Sequence, residues 1–126
     1  MNKILVLDDD PDISSVITII LIKQGYACDY ITDFNLLEKR IMNYMPDLLI
    51  LDVSLGGADG RSISQKLKKN IEMNHIQIIL LSANVDALNE NIPFKADAFI
   101  TKPFESIELV KTVERVLAKR PGLKYK

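Results

Sequence analysis

Five short, almost unbroken apolar runs, "KILVLD", "YACDYI", "DLLILD", "IQIILLS" and "DAFITK", recur along the chain with helical spacing between them. Continuous apolar strands alternating with amphipathic helices specify a parallel sheet, because each crossover lays a helix over one of its faces. Ile13, Val16, Ile17, Ile20 and Leu21 follow the i, i+3, i+4, i+7, i+8 pattern of one helix face, with Gly25 placed as its stop. Leu36, Leu37, Ile41 and Met45 make a second stripe. Ile63, Leu67 and Ile71 make a third, which leaves Arg61, Lys66, Lys68 and Lys69 toward water; Val110, Val113, Val116 and Leu117 make the last. The pattern predicts β1 at 3–8, α1 at 11–24, β2 at 26–31, α2 at 33–44 and β3 at 47–52. It continues with α3 at 60–72, β4 at 76–81, a short α4 at 85–91, β5 at 97–101 and α5 at 105–119.

A chain of 126 residues makes one domain, here 1–119, followed by a basic tail or the start of a linker at 120–126. The net charge of −1 argues against direct DNA binding by this chain, since a dedicated nucleic-acid binder is usually markedly basic. Cys28 is the single cysteine, which excludes an internal disulfide and suits a reducing compartment. The N-terminus turns acidic before a signal-peptide apolar region forms. "VITIILI" is too short to span a membrane, so a cytoplasmic location without membrane insertion is expected.

In an open parallel sheet the ligand site lies beyond the carboxyl ends of the strands, near the point where strand order reverses. Asp8 and Asp9 close β1, Asp52 closes β3, Ser82 closes β4 and Lys102 closes β5. Two carboxylates about 4 Å apart repel by roughly 4 kcal/mol at an effective dielectric near 20, so something must offset the acidic block. Asp10 and Pro11 have a local explanation, as the N-cap and first residue of α1, and Asp12 suits the first helical turn. Asp8, Asp9 and Asp52 remain, enough to hold a hard divalent cation such as Mg²⁺, which takes few carboxylates and waits for phosphate oxygens. Lys102 can pair with a carboxylate or steady a phosphoryl oxygen, and the Ser82 hydroxyl can donate to one.

"LVLDDDPD", "DLLILDVSLGGADG", "LLSA" and "FITKPF" together resemble the receiver domain of response regulators in two-component signalling, over residues 2 to about 119. The resemblance implies a flavodoxin-like, doubly wound (βα)5 fold with a five-stranded parallel sheet of order 2-1-3-4-5. It implies that Asp52 is the phosphoacceptor, charged by a histidine kinase, a histidine phosphotransfer protein or a small phosphodonor. It implies that Asp8, Asp9, Asp52 and the backbone carbonyl of Ser54 hold Mg²⁺, with Mn²⁺ as a substitute. Lys102 would contact the phosphoryl oxygens after a cis Lys102–Pro103 bond. Ser82 and Phe99 would form the switch that presents the α4-β5-α5 face to a downstream protein. The output would be partner binding, not enzymatic turnover beyond slow self-dephosphorylation.

The chain also departs from that family. Gly56 stands where many relatives carry proline, Pro93 interrupts a shortened segment between Ser82 and Lys102, and Lys95 replaces a common glycine. Ser54 and Asn84 occupy positions that tune hydrolysis of the phosphoaspartate. Two other readings compete. One is a pseudo-receiver that binds partners without phosphate. The other is a haloacid-dehalogenase-type phosphohydrolase using Asp8 and Asp10, although nothing after Lys102 supplies the later acidic pair of such enzymes. His75 and Cys28 read as a turn residue and a small core residue.

Overall fold

The computed structural model of the chain describes residues 2–83 and 95–119. Its sheet has five strands in the order β2-β1-β3-β4-β5, and every pairing is parallel. They are β1 (Lys3–Leu7), β2 (Ala27–Ile31), β3 (Leu48–Asp52), β4 (Gln77–Ser82) and β5 (Ala98–Thr101). The helices are α1 (Pro11–Lys23), α2 (Leu37–Tyr44), α3 (Gly60–Lys69) and α5 (Ser106–Ala118). The expected α4, with Asn84 and Pro93, lies outside the described residues, as does the segment 120–126.

Strand side chains alternate between two cores. Ile4, Val6, Leu48 and Ile50 join Ile17 and Leu21 of α1 and Leu109 and Val113 of α5 on one face. Leu5, Leu7, Leu49 and Leu51 join Leu37 and Ile41 of α2 and Leu67 of α3 on the other. Between their polar end residues the central strands are therefore apolar on both faces, each fully buried Leu or Ile contributing about 1.5–3 kcal/mol.

Asp10 caps α1 as its pattern suggests, accepting from the Asp12 and Ile13 amides at 2.9 and 3.4 Å. Gly25 follows the C-cap with φ +97°, a conformation glycine adopts without steric cost. The helical stripes differ from expectation at several residues: Val16 and Met45 are exposed, and three further differences have local causes. Residues 34–36 form a 3-10 turn under an Asp33 cap, so α2 begins only at Leu37 and Leu36 stays exposed. α3 ends at Lys69 under the Asn70 cap, which leaves Ile71 88% exposed instead of in the apolar stripe. Arg61 is buried and not on the wet side, because its guanidinium folds back onto Asp59, the cap of its own helix.

Candidate functional site

The carboxyl-terminal edge of the sheet gathers charges from three strand ends. Asp8 is fully buried and Asp52 nearly so, while Asp9 is exposed. Lys102 reaches back from the end of β5, and its Nζ donates to Asp8 Oδ2 at 2.8 Å and Asp52 Oδ2 at 3.1 Å. The remaining oxygens meet backbone amides: Asp10 N–H donates to Asp8 Oδ1 at 3.0 Å and Ser54 N–H to Asp52 Oδ1 at 3.3 Å. The Ser14 hydroxyl, from inside α1, donates to the Asp8 carbonyl at 3.1 Å and ties the helix to the strand end. The acidic block thus resolves into three roles: Asp10 caps a helix, Asp8 is neutralised by Lys102, and Asp9 faces water. The capping bonds also leave Asp10 poorly placed to serve as a phosphohydrolase acid.

Burial raises the Asp52 carboxyl above its ordinary range, and the Asp8 charge raises it further, against Lys102 and the Ser54 amide, which lower it. For Lys102, burial alone would lower the ammonium, but hydrogen bonding and attraction from Asp8 and Asp52 outweigh that and raise it. One ammonium between buried carboxylates is a strong pairing, because removing it strands charge in a poorly solvated place.

Oxygen atoms of Asp8, Asp9 and Asp52 all lie within 4.8 Å of one another. Three carboxylates against one ammonium leave a net charge of −2 at the cluster. An oxygen-only, doubly negative donor set fits a hard divalent cation better than a soft one.

Ser82 ends β4 and is buried; its carbonyl accepts from the Lys102 amide at 2.8 Å. Val53, Ser54, Ala58, Asp59, Ser82 and Ala83 line one cavity beside Asp52. Phe99 lies one strand over and is 46% exposed between buried Ala98 and Ile100, so it belongs to the outer surface, away from the carboxylates. The Lys102–Pro103 bond is cis. Cys28 is half-buried against the core, and burial pushes its thiol up to about 11.

A residue without an expected role also shapes the site. The Gly60 N–H donates to the Val53 carbonyl at 2.7 Å, and a Cβ at Gly60 would lie 2.2 Å from the Asp52 carbonyl oxygen. α3 therefore starts in direct backbone contact with the end of β3. The sequence signal was the "DG" after the loop: a glycine at the first helical position, behind an Asp cap, in a place that no turn requires. The loop between closes through Leu55 N–H to the Ala58 carbonyl at 3.2 Å and an antiparallel bridge from Ser54 to Asp59.

Comparison with known proteins agrees with this geometry. The DNA-binding dual master transcriptional regulator RpaA of Synechocystis sp. is 30% identical over 119 residues, which are 93% of this chain. The chain spans about half (49%) of that relative's length. The signal receiver domain of a signal transduction histidine kinase from Syntrophus aciditrophicus superposes with a TM-score of 0.85 at 27% identity, covering 100% of this chain and 95% of that one. The response regulator TrrA of Thermotoga maritima, solved with Mg²⁺ and BeF, gives a TM-score of 0.82 at 28% identity, covering 92% and 99%. Residues 4–114 match the response regulator receiver domain, and the chain belongs to that family.

Proposed function

We propose that the chain is a phosphorylatable switch in which Asp52 takes a phosphoryl group from the phosphohistidine of a histidine kinase or phosphotransfer protein, or from a small phosphodonor. A carboxylate oxygen of Asp52 attacks phosphorus; the O–P bond forms as the P–N bond to imidazole breaks, and the leaving imidazole takes up a proton. The observation that carries this reading is the Lys102 ammonium held between Asp8 and Asp52. Such a transfer needs charge neutralisation and alignment more than covalent help, and Lys102 supplies both at the strand end.

Asp8, Asp9, Asp52 and the Ser54 carbonyl would hold Mg²⁺, or Mn²⁺ in its place. Bound there, the ion offsets the repulsion between an anionic nucleophile and an anionic donor. The Mg²⁺ and BeF held by TrrA support the same chemistry here. Ser82, next to the Leu81 that pairs with Asp52 across the sheet, would donate to the new phosphoryl oxygens, and Phe99 is the surface group whose position would follow it. The partner is then a protein that reads the β5-α5 surface together with the expected α4. The DNA binding named for RpaA is not carried over to this chain, which matches half of that protein. No described helix is long and apolar enough to cross a membrane.

Intact mass after incubation with acetyl phosphate and Mg²⁺ tests the reading. One phosphoryl group is expected on the wild type and none on Asp52→Asn or without metal. An adduct that survives Asp52→Asn would identify the wrong nucleophile. No adduct together with no beryllofluoride binding would favour a pseudo-receiver.

A further inference from the structure

The opposite edge of the sheet carries a second constellation, which the phosphoacceptor chemistry does not use. The chain has four methionines and one histidine. Three of those methionines, Met42, Met45 and Met73, line one cavity of about 220 Å³ together with His75 and Glu72. Two separate segments supply them: Met42 and Met45 come from the end of α2, and Met73 and His75 from the turns between α3 and β4.

Core packing accounts for only one of these three methionines. Met73 is buried, but Met42 and Met45 are 66% and 69% exposed, so two thioethers are kept at the surface around a concavity. Met42 lies inside α2, and Met45 is the residue that caps its C-terminus. Met45 also holds a left-handed backbone conformation, φ 55°, where its amide closes α2 on the Ile41 carbonyl at 2.8 Å. A residue other than Gly or Asn in that region costs about 1 kcal/mol, yet the chain keeps a methionine there. Thioether sulfurs are soft donors that select monovalent copper over hard cations, and imidazole suits copper as well. The exposed Glu72 carboxylate adds a negative charge beside a cation bound there.

We propose that Met42, Met45, Met73 and His75 form a binding site for a soft monovalent cation, Cu(I), at the amino-terminal edge of the sheet. Five-residue β3 separates it from the carboxylate cluster by roughly 17 Å at about 3.3 Å per residue. The two sites therefore have opposite chemistry, hard oxygen at one edge and soft sulfur at the other. The proposal does not depend on phosphorylation of Asp52.

The chain's single thiol, Cys28, is the natural competitor, so the experiment uses Cys28→Ser throughout. Anaerobic Cu(I) is titrated against a chromophoric Cu(I) chelator, and Ag(I), a redox-inert stand-in for Cu(I), is followed through methionine methyl and histidine ring NMR signals. One equivalent is expected to shift the signals of Met42, Met45, Met73 and His75 together. Met42→Leu, Met45→Leu and His75→Ala alter exposed residues and leave the fold intact. Each is expected to weaken binding about tenfold or more, since losing even a supporting group costs a metal site that much. Binding unchanged in all three variants, shifts confined to other residues, or no competition with the chelator would overturn the proposal. Zn²⁺ or Mg²⁺ moving the same four signals equally well would overturn the soft-donor argument.

Discussion

Gly60→Ala tests how the strand that ends in Asp52 is held. The added methyl would sit 2.2 Å from the Asp52 carbonyl oxygen, 2.9 Å from its carbonyl carbon and 3.0 Å from the Val53 Cα. All three are backbone atoms, so no rotamer change relieves the overlap. Overpacking of this kind costs about 1–3 kcal/mol, and the backbone contact places Gly60 at the upper end. Stretching the 2.7 Å bond from Gly60 N–H to Val53 forfeits about 1 kcal/mol more. Against this, alanine restricts the unfolded chain and returns about 0.4–1 kcal/mol. The net expectation is a loss of about 3 kcal/mol, which lowers the urea midpoint by about 1.5 M for a typical slope near 2 kcal/mol per M. Gly57→Ala is the matched control: its methyl would meet the Phe34 ring at 3.5 Å, an ordinary contact. The assay is urea unfolding of both variants, with acetyl phosphate labelling of the folded protein alongside. Gly60→Ala should lose both stability and labelling rate, while Gly57→Ala keeps both. Equal midpoints for the two variants would refute the idea that α3 is anchored to the end of β3 through this glycine.

Lys102→Met leaves the buried Asp8 and Asp52 without their shared cation and should cost about 3–5 kcal/mol in Mg²⁺-free urea melts, part of it recovered when Mg²⁺ is added. Asp9→Asn changes an exposed residue, so its unfolding free energy should stay within about 0.5 kcal/mol of wild type while the Mg²⁺ concentration needed for phosphorylation rises. Hydrogen bonding from Arg61 holds the Asp59 carboxyl below its ordinary 3.8, so the pair's contribution is complete above that pH and is lost as pH falls further. The Asp59 side chain is 39% exposed, which limits that contribution to about 1 kcal/mol or less; the stability gap between wild type and Asp59→Asn should close in acid melts below pH 3.8. With its thiol up at about 11, Cys28 should react with iodoacetamide at a rate that keeps climbing past pH 9 in the folded protein, and a plateau near pH 9 would contradict its burial.

Much of this was legible in the sequence because the sheet is parallel and covered on both faces. Its central strands are unbroken apolar runs between polar ends, so they stand out without any alternation to decode, and the residues that end them fall at one edge by topology alone. Asp8, Asp9, Asp52, Ser82 and Lys102 could be gathered from four separate motifs for that reason. What could not be read was set by short-range geometry. Arg61 looked like one more surface cation of α3, because nothing in the helical period shows that it folds back onto the Asp59 cap. Ile71 completed an apolar stripe by spacing, but Asn70 ends the helix one residue earlier. The contact of Gly60 with the Asp52 backbone is a tertiary distance, and no local propensity encodes it.

The strand order divides the sheet into two pieces that are each local in sequence. β1 and β2 make one, β3 through β5 the other, and the β1–β3 pairing, Ile4 to Leu48 through Leu7 to Leu51, is the seam between them. Asp8 stands on one side of that seam, while Asp52 and Lys102 stand on the other. The 2.8 Å pairing of Lys102 with Asp8 is thus a clasp across the joint. Any anion that draws Lys102 toward Asp52 takes the clasp away from Asp8, so the amides along the β1–β3 seam should exchange faster with solvent in the occupied state, before any change reaches the outer surface.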